Sequence, residues 1–199
     1  MTEPGSDVRA SVDVTEETFE RDVVERSREV PVIVDFWAAW CGPCHALTPL
    51  LEQEVETRAG AVTLAKVDVD ANPGLADAFG IRGIPAVKGF RDGRVVTEFV
   101  GARPPAAVAS FVDELLAPPR LQVLLEELRA SGELAGVVSA LDAGDHETAL
   151  DHILEAISGA PDDERTRLLR DVAVAVFDDL GQEHPVAVAY RRRLASALY

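Results

Sequence analysis

The sequence predicts an α/β layer fold with a central mixed sheet, followed by a smaller all-helical domain. Three observations carry that expectation. Strand-like and helix-like patterns follow one another in the order β-α-β-α-β-α-β-β-α over roughly the first 116 residues. Asp92-Gly93 separates two apolar runs as a hairpin turn signal. Ala117-Pro118-Pro119 then breaks the pattern, and beyond it every segment has helical periodicity. The expected organisation is a polar leader over 1–7, an α/β domain over 8–117 and a helical domain over 118–199.

Residues 8–14 read as a strand, and Thr15 is a candidate N-cap for a helix over 16–28. The run Val30-Pro-Val-Ile-Val-Asp-Phe36 is nearly all apolar, as expected of a strand buried on both faces. A helix over 42–59 follows directly, with a kink expected at Pro49. Residues 62–69 form another buried-type strand, and Asn72-Pro73 opens a short helix ending near Gly80. Strands over 86–90 and 94–100 flank the hairpin turn, and Pro104-Pro105 starts a helix reaching Leu116. In the second domain Leu168, Val172, Val176 and Leu180 recur at four-residue spacing, closed by Gly181 as a C-cap. Val186, Tyr190, Leu194 and Leu198 repeat that spacing after Pro185.

A net charge of −16 argues against a nucleic-acid backbone or an anionic membrane as the main partner. The cluster Arg191-Arg192-Arg193 is too small to reverse it. The N-terminus has no apolar stretch like that of a signal peptide, and no run approaches the ~18 apolar residues of a membrane helix. The two cysteines sit three positions apart, unlike the several widely spaced ones of a disulfide-stapled secreted domain. Together these features lead us to expect a cytoplasmic protein whose vicinal pair is catalytic or metal-binding.

Trp40-Cys41-Gly42-Pro43-Cys44 lies between a buried strand and a helix, so Cys41 falls at a helix N-terminus. Unpaired N–H groups and the helix dipole favour an anion there, and the thiolate is the attacking species in disulfide exchange. Cys44, one turn on, is close enough to attack a mixed disulfide and release its substrate. Two other readings of the pair are weaker. Cys41 to His45 satisfies the CxxCH haem-attachment pattern, but the only methionine is Met1 and no export signal precedes it. Zinc would need two further ligands from His45, His146, His152 and His184, none of which has ligand-like spacing to the thiols. His146 and His152, six apart, share no helix face and read as surface or packing residues.

The segment Val34-Asp-Phe-Trp-Ala-Ala-Trp-Cys-Gly-Pro-Cys44 resembles the active-site segment of the thioredoxin family almost letter for letter. The resemblance continues through Lys66-Val-Asp-Val-Asp-Ala-Asn-Pro-Gly74, Phe79-Gly-Ile-Arg-Gly-Ile-Pro85, Asp92-Gly93 and Val100-Gly101. It implies a thioredoxin fold and a cofactor-free, metal-free disulfide oxidoreductase whose redox centre is Cys41–Cys44. It further implies that Asp35 is a buried carboxylate accepting the proton of the resolving Cys44, with Lys66 on the next strand as its partner. Without the resemblance, Asp35 reads as a polar residue near a strand end and Lys66 as a surface lysine. Pro85 would be a cis-proline packed against the dithiol, and Trp37, Trp40, Gly42, Pro43, Gly83 and Ile84 would border the substrate site. Ala86 replaces the family's usual Thr after that proline, and His45 stands where a Lys is common.

In the helical domain, the stretch from Gly144 to Pro161 resembles the second helix of a tetratricopeptide repeat, with Ala149, Ala156 and Pro161 at the small-residue and terminal-proline positions. The preceding helix, over 133–143, lacks the consensus aromatic. A single repeat cannot bury its own core, so docking onto the first domain or onto a partner is expected. A thioredoxin-like domain followed by degenerate tetratricopeptide-like helices resembles the bacterial YbbN/CnoX chaperedoxins, although the helical part is shorter than is usual there. That resemblance implies a holdase that shields oxidised or unfolded clients and passes them to a GroEL-type chaperonin. It also implies a thioredoxin-reductase-like or other thiol reductant as electron donor. Chaperonin docking would fall on the last helix, at Tyr190, Arg191, Arg192, Arg193, Leu194 and Leu198.

Overall fold

The computed structural model describes residues 11–157, 164–181 and 183–198. The leader over 1–7, residues 8–10 of the first expected strand, Pro161 and the Leu198 side chain lie outside the described residues. The chain divides into two compact units, one ending at Ala117 and the other beginning at Pro118.

The first unit is built on a five-stranded sheet in the order β1-β3-β2-β4-β5. The strands are β1 (Ser11–Asp13), β2 (Val32–Trp37), β3 (Thr63–Asp68), β4 (Ala86–Arg91) and β5 (Arg94–Val100). β3 runs parallel to both β1 and β2, whereas β4 is antiparallel to β2 and to β5. The sheet is therefore mixed, and Asp92 (φ 53°) and Gly93 (φ 78°) turn the hairpin with both residues left-handed.

Helices α1 (Gly42–Thr57) and α3 (Pro105–Leu116) share one core with the sheet, formed by Ile33, Leu47, Leu51, Leu64, Val87 and Val112. A second core combines Val32, Val34 and Phe36 of β2 with Phe19 and Val23 from the N-terminal helical segment. The rings of Phe19, Phe36, Phe79 and Phe90 meet there at centroid separations of 5.0 to 5.9 Å. Alternation along β2 thus sends Val32, Val34 and Phe36 to one side and Ile33 to the other. Asp35 follows Ile33, and on β3 Lys66 follows Leu64, so both polar residues lie on the α1 side of the sheet. The short helix α2 (Pro73–Ala78) begins at its proline, as expected.

The helix expected over 16–28 is irregular. A π-helical stretch, Glu20–Glu25, passes into a 3₁₀ turn, Arg26–Arg28. The physical reason lies at Ser27, which is buried and latches the hairpin: its carbonyl accepts from the Asp92 N–H and its hydroxyl oxygen from the Gly93 N–H, each at 2.9 Å. Helical periodicity cannot anticipate that long-range docking. α1 continues through Pro49, whose missing N–H leaves the His45 carbonyl without its intrahelical donor.

The second unit holds α4 (Arg120–Ser131), α5 (Ala135–Asp142), α6 (His146–Ile157), α7 (Glu164–Leu180) and α8 (Pro185–Leu198). Gly181 closes α7 at φ 93°, its N–H bonded to the Phe177 carbonyl at 3.0 Å. Leu124 and Leu128 of α4, Val137 of α5, Leu150 and Ile153 of α6, Leu169 and Val176 of α7, and Leu194 of α8 belong to one buried cluster confined to this unit. The pair α5 and α6 thus buries its apolar face within this unit. α4, α7 and α8 supply the missing apolar faces.

Ile153 is fully buried in that cluster, whereas Val174 on α7 is exposed. Ile153→Ala is expected to cost about 2–5 kcal/mol, seen as a lower urea midpoint for loss of helical signal. Val174→Ala should change stability by less than about 0.5 kcal/mol in the same titration.

Candidate active site

β2 ends at Trp37, and four residues later Cys41 caps the N-terminus of α1. Cys41 and Cys44 are joined in a disulfide, with Cα atoms 5.3 Å apart. The Cys41 Sγ accepts a hydrogen bond from the Cys44 N–H at 3.2 Å, one of the donors that a helix start leaves unpaired. That placement suits a sulfur that carries negative charge when the bond is reduced. Both sulfurs belong to a small apolar cluster with Ala38, bordered by Trp37, Val69 and Ile84. Gly42 and Pro43 are exposed beside them.

The Ile84–Pro85 peptide bond is cis, and the Pro85 carbonyl accepts from the Gly101 N–H at 2.8 Å. Ile84 packs against the cysteine cluster, which sets this bend beside the disulfide. A shallow groove runs along it, lined by Trp40, Val69, Pro73, Ile81, Gly83 and Ile84. Trp40 is 70% exposed and is held by a 2.8 Å hydrogen bond from Nε1 to Asp70 Oδ2. Trp37 is half-buried, and its Nε1 has no hydrogen-bond partner among the described residues. Of the two departures, Ala86 is buried in the sheet, while His45 is exposed with Nε2 2.9 Å from the Ala39 carbonyl oxygen.

Asp35 is fully buried, with a single hydrogen-bond partner among the described residues: Thr48 donates from Oγ1 to Oδ2 at 2.7 Å. The other oxygen, Oδ1, has no hydrogen-bond partner among the described residues. Thr48 lies one turn after Cys44 on α1, so the carboxyl is tied to the first turns of the helix that carries the disulfide. Burial raises the Asp35 pKa to about 6, against the opposing pull of the Thr48 hydrogen bond and the Lys66 charge.

Lys66 is the register partner of Asp35 across β2 and β3, but its ammonium group does not pair with that carboxyl. Nζ sits 3.1 Å from Glu52 Oε1 and 3.9 Å from Asp13 Oδ1, so the expected Asp35–Lys66 contact is replaced by a half-exposed pair with α1. The long lysine stem lets the charge reach solvent, where an ion pair carries no desolvation penalty comparable to a buried one. Thr48 and Glu52 are absent from the residues picked out in the sequence. Their spacing from Cys44, at i+4 and i+8, marks the same helical face and is the signal that finds them.

The expected docking residues of α8 are mostly occupied within their own unit. Tyr190 and Leu194 are buried. Arg191 lies over the Phe177 ring at 5.4 Å, and Arg193 over the Tyr190 ring at 4.4 Å while pairing with Asp151 at 2.8 Å. Arg192 is exposed.

A family model described as thioredoxin matches residues 10–114. The chain is 46% identical over 103 residues to Thioredoxin C-2 of Corynebacterium nephridii, covering 52% of this chain and 94% of that protein. It is 42% identical over 103 residues to Thioredoxin 1 of Synechococcus elongatus, with the same coverage. It is 44% identical over 111 residues to a thioredoxin of Mycobacterium tuberculosis, covering 56% of this chain and 94% of that one. The chain belongs to the thioredoxin family. A second model, described as tetratricopeptide repeat, matches residues 127–199, so this thioredoxin-family protein carries a tetratricopeptide-like helical region after its redox domain. Its Cys-x-x-Cys disulfide makes it a thiol–disulfide oxidoreductase. Among the described residues no group of three or more His, Cys, Asp or Glu side chains is arranged to hold a metal ion. No helix among them is long and apolar enough to cross a membrane.

The raised pKa of Asp35 has a signed consequence for stability. Between about pH 4 and pH 6 the folded protein holds a proton that the unfolded chain has released, so stability falls as pH rises through that window. Above it the deficit is constant at up to about 3 kcal/mol, from roughly two pKa units at ~1.4 kcal/mol each. Asp35→Asn in the oxidised protein should therefore be more stable than wild type at pH 8 and nearly equal to it at pH 4, by urea denaturation at each pH.

Proposed function

We propose that this protein reduces disulfides in cytoplasmic client proteins and holds unfolded clients through its helical domain. The observation that carries the redox half is the Cys41 sulfur at the N-cap of α1, receiving the Cys44 N–H, next to the cis Ile84–Pro85 bend. In the reduced protein the Cys41 thiolate attacks one sulfur of a client disulfide. The client's other sulfur leaves as a thiolate and takes a proton from water, and a Cys41–client mixed disulfide remains. The Cys44 thiol gives its proton to Asp35, and its sulfur attacks Cys41, releasing the client's second thiolate and closing Cys41–Cys44. Two electrons pass from the protein to the client, and an external dithiol of thioredoxin-reductase type restores the start. The groove between Trp40 and Ile84 accepts the client segment in extended form, its backbone alongside Pro85.

The tetratricopeptide match over 127–199 supports a partner-binding helical domain, and the YbbN/CnoX resemblance supports transfer of held clients to a GroEL-type chaperonin. A second reading has its own support. Tyr190, Arg191 and Arg193 are engaged within the domain, which favours a purely structural or differently docked appendage.

Insulin reduction by wild type and Cys41→Ser tests the redox half, with the variant expected at background; equal rates would sink it. For the holdase half, suppression of aggregation of a heat-unfolded client should survive Cys41→Ser and drop when residues 120–199 are deleted. Undiminished protection after that deletion would leave the structural-appendage reading.

A further inference from the structure

We propose that Thr48 is a positioning residue for disulfide exchange, anchoring Oδ2 of Asp35 so that Oδ1, without a hydrogen-bond partner among the described residues, is the oxygen that receives the Cys44 proton. This rests on the reading of Asp35 as proton acceptor and adds to it the residue that makes the carboxyl usable.

Taken out of water without hydrogen bonds, an Asp remains protonated at neutral pH and accepts nothing. The family's lysine does not supply that help directly here, because Lys66 Nζ is drawn to Glu52 and towards Asp13. The remaining surroundings are poor in donors. Val87 of β4 is the register partner on the other side of β2, and Ile33 and Leu64 precede Asp35 and Lys66 on the same side of the sheet. From α1 the Thr48 hydroxyl donates to the carboxyl, and the Glu52 charge works against its ionisation. Thr48 is thus the one hydrogen-bond donor it has among the described residues.

The hydroxyl has an alternative. A threonine within a helix commonly donates to the carbonyl four residues back, which would be that of Cys44. Thr48 instead donates across to the sheet at 2.7 Å. The bond does two things. It lowers the energy of the ionised carboxylate relative to the acid, and it fixes the rotation of the carboxyl group. With Oδ2 engaged, the buried Oδ1 is the oxygen left to take a proton, and α1 places Cys44 one turn from the anchor.

The test compares wild type, Thr48→Val, Thr48→Ser and Asp35→Asn. Two readouts are taken: the titration of the Asp35 side-chain carbon by NMR in the oxidised protein, and the pH profile of single-turnover reduction of a disulfide substrate. Thr48→Val should move the Asp35 midpoint up by about one unit, the size expected for loss of a hydrogen bond to a charged group. Its reduction rate should fall up to ~10-fold at pH values between the old and new midpoints and recover above them. Thr48→Ser, which keeps the hydroxyl, should restore both. Thr48→Ala replaces Thr48→Val if the added methyl prevents folding. Unchanged titration and profile in Thr48→Val, with an altered profile in Asp35→Asn, overturn the role of Thr48 alone. A wild-type profile in Asp35→Asn instead overturns the proton-acceptor reading, and the positioning role falls with it.

Discussion

Strand β2 is paired along most of its length on both sides, to β3 and to β4, and the register of those pairings is the constraint on which the site depends. A one-residue slip would exchange its two faces, sending Asp35 into the phenylalanine cluster and Phe36 under α1. Apolar packing on both sides forbids that slip, since Ile33 is committed to the α1 core and Val32, Val34 and Phe36 to the other. The same strand hands the chain over to the first turn of α1. Its end therefore fixes where Cys41 caps the helix and where Cys44 lies relative to the sheet.

The energetic cost of the site is concentrated at Asp35. A carboxyl enclosed by sheet and helix, with one oxygen lacking a hydrogen-bond partner among the described residues, opposes folding once it ionises. The surrounding apolar cores offset that cost. Lys66 could have relieved it by direct contact, but its ammonium stays at the half-exposed margin with Glu52, where water still solvates it. The carboxyl is left with a pKa of about 6, within reach of neutrality.

The helical unit is organised by a different logic. The tetratricopeptide-like pair α5 and α6 packs with α4, α7 and α8, whose leucines and valines complete the core, and the repeat match extends through α7 and α8. Two of the three arginines on α8 lie over aromatic rings, so the basic cluster that stands out in the sequence serves packing as well as surface charge.

By itself the sequence determined the order of strands and helices, the hairpin at Asp92-Gly93, the break at Ala117-Pro118-Pro119 and the Cys41–Cys44 pair at a helix start. These are legible because each is encoded locally, by periodicity, by turn residues or by a spacing of three. Tertiary structure alone decided the π-helical turn ahead of Ser27, the diversion of Lys66 to Glu52 and the anchoring of Asp35 by Thr48. It also decided how α5 and α6 pack within their unit and the packing of Arg191 and Arg193. In each of these a side chain chooses among several partners distant in sequence. Such a choice depends on which groups the fold brings within about 3 Å, and on whether water still reaches them.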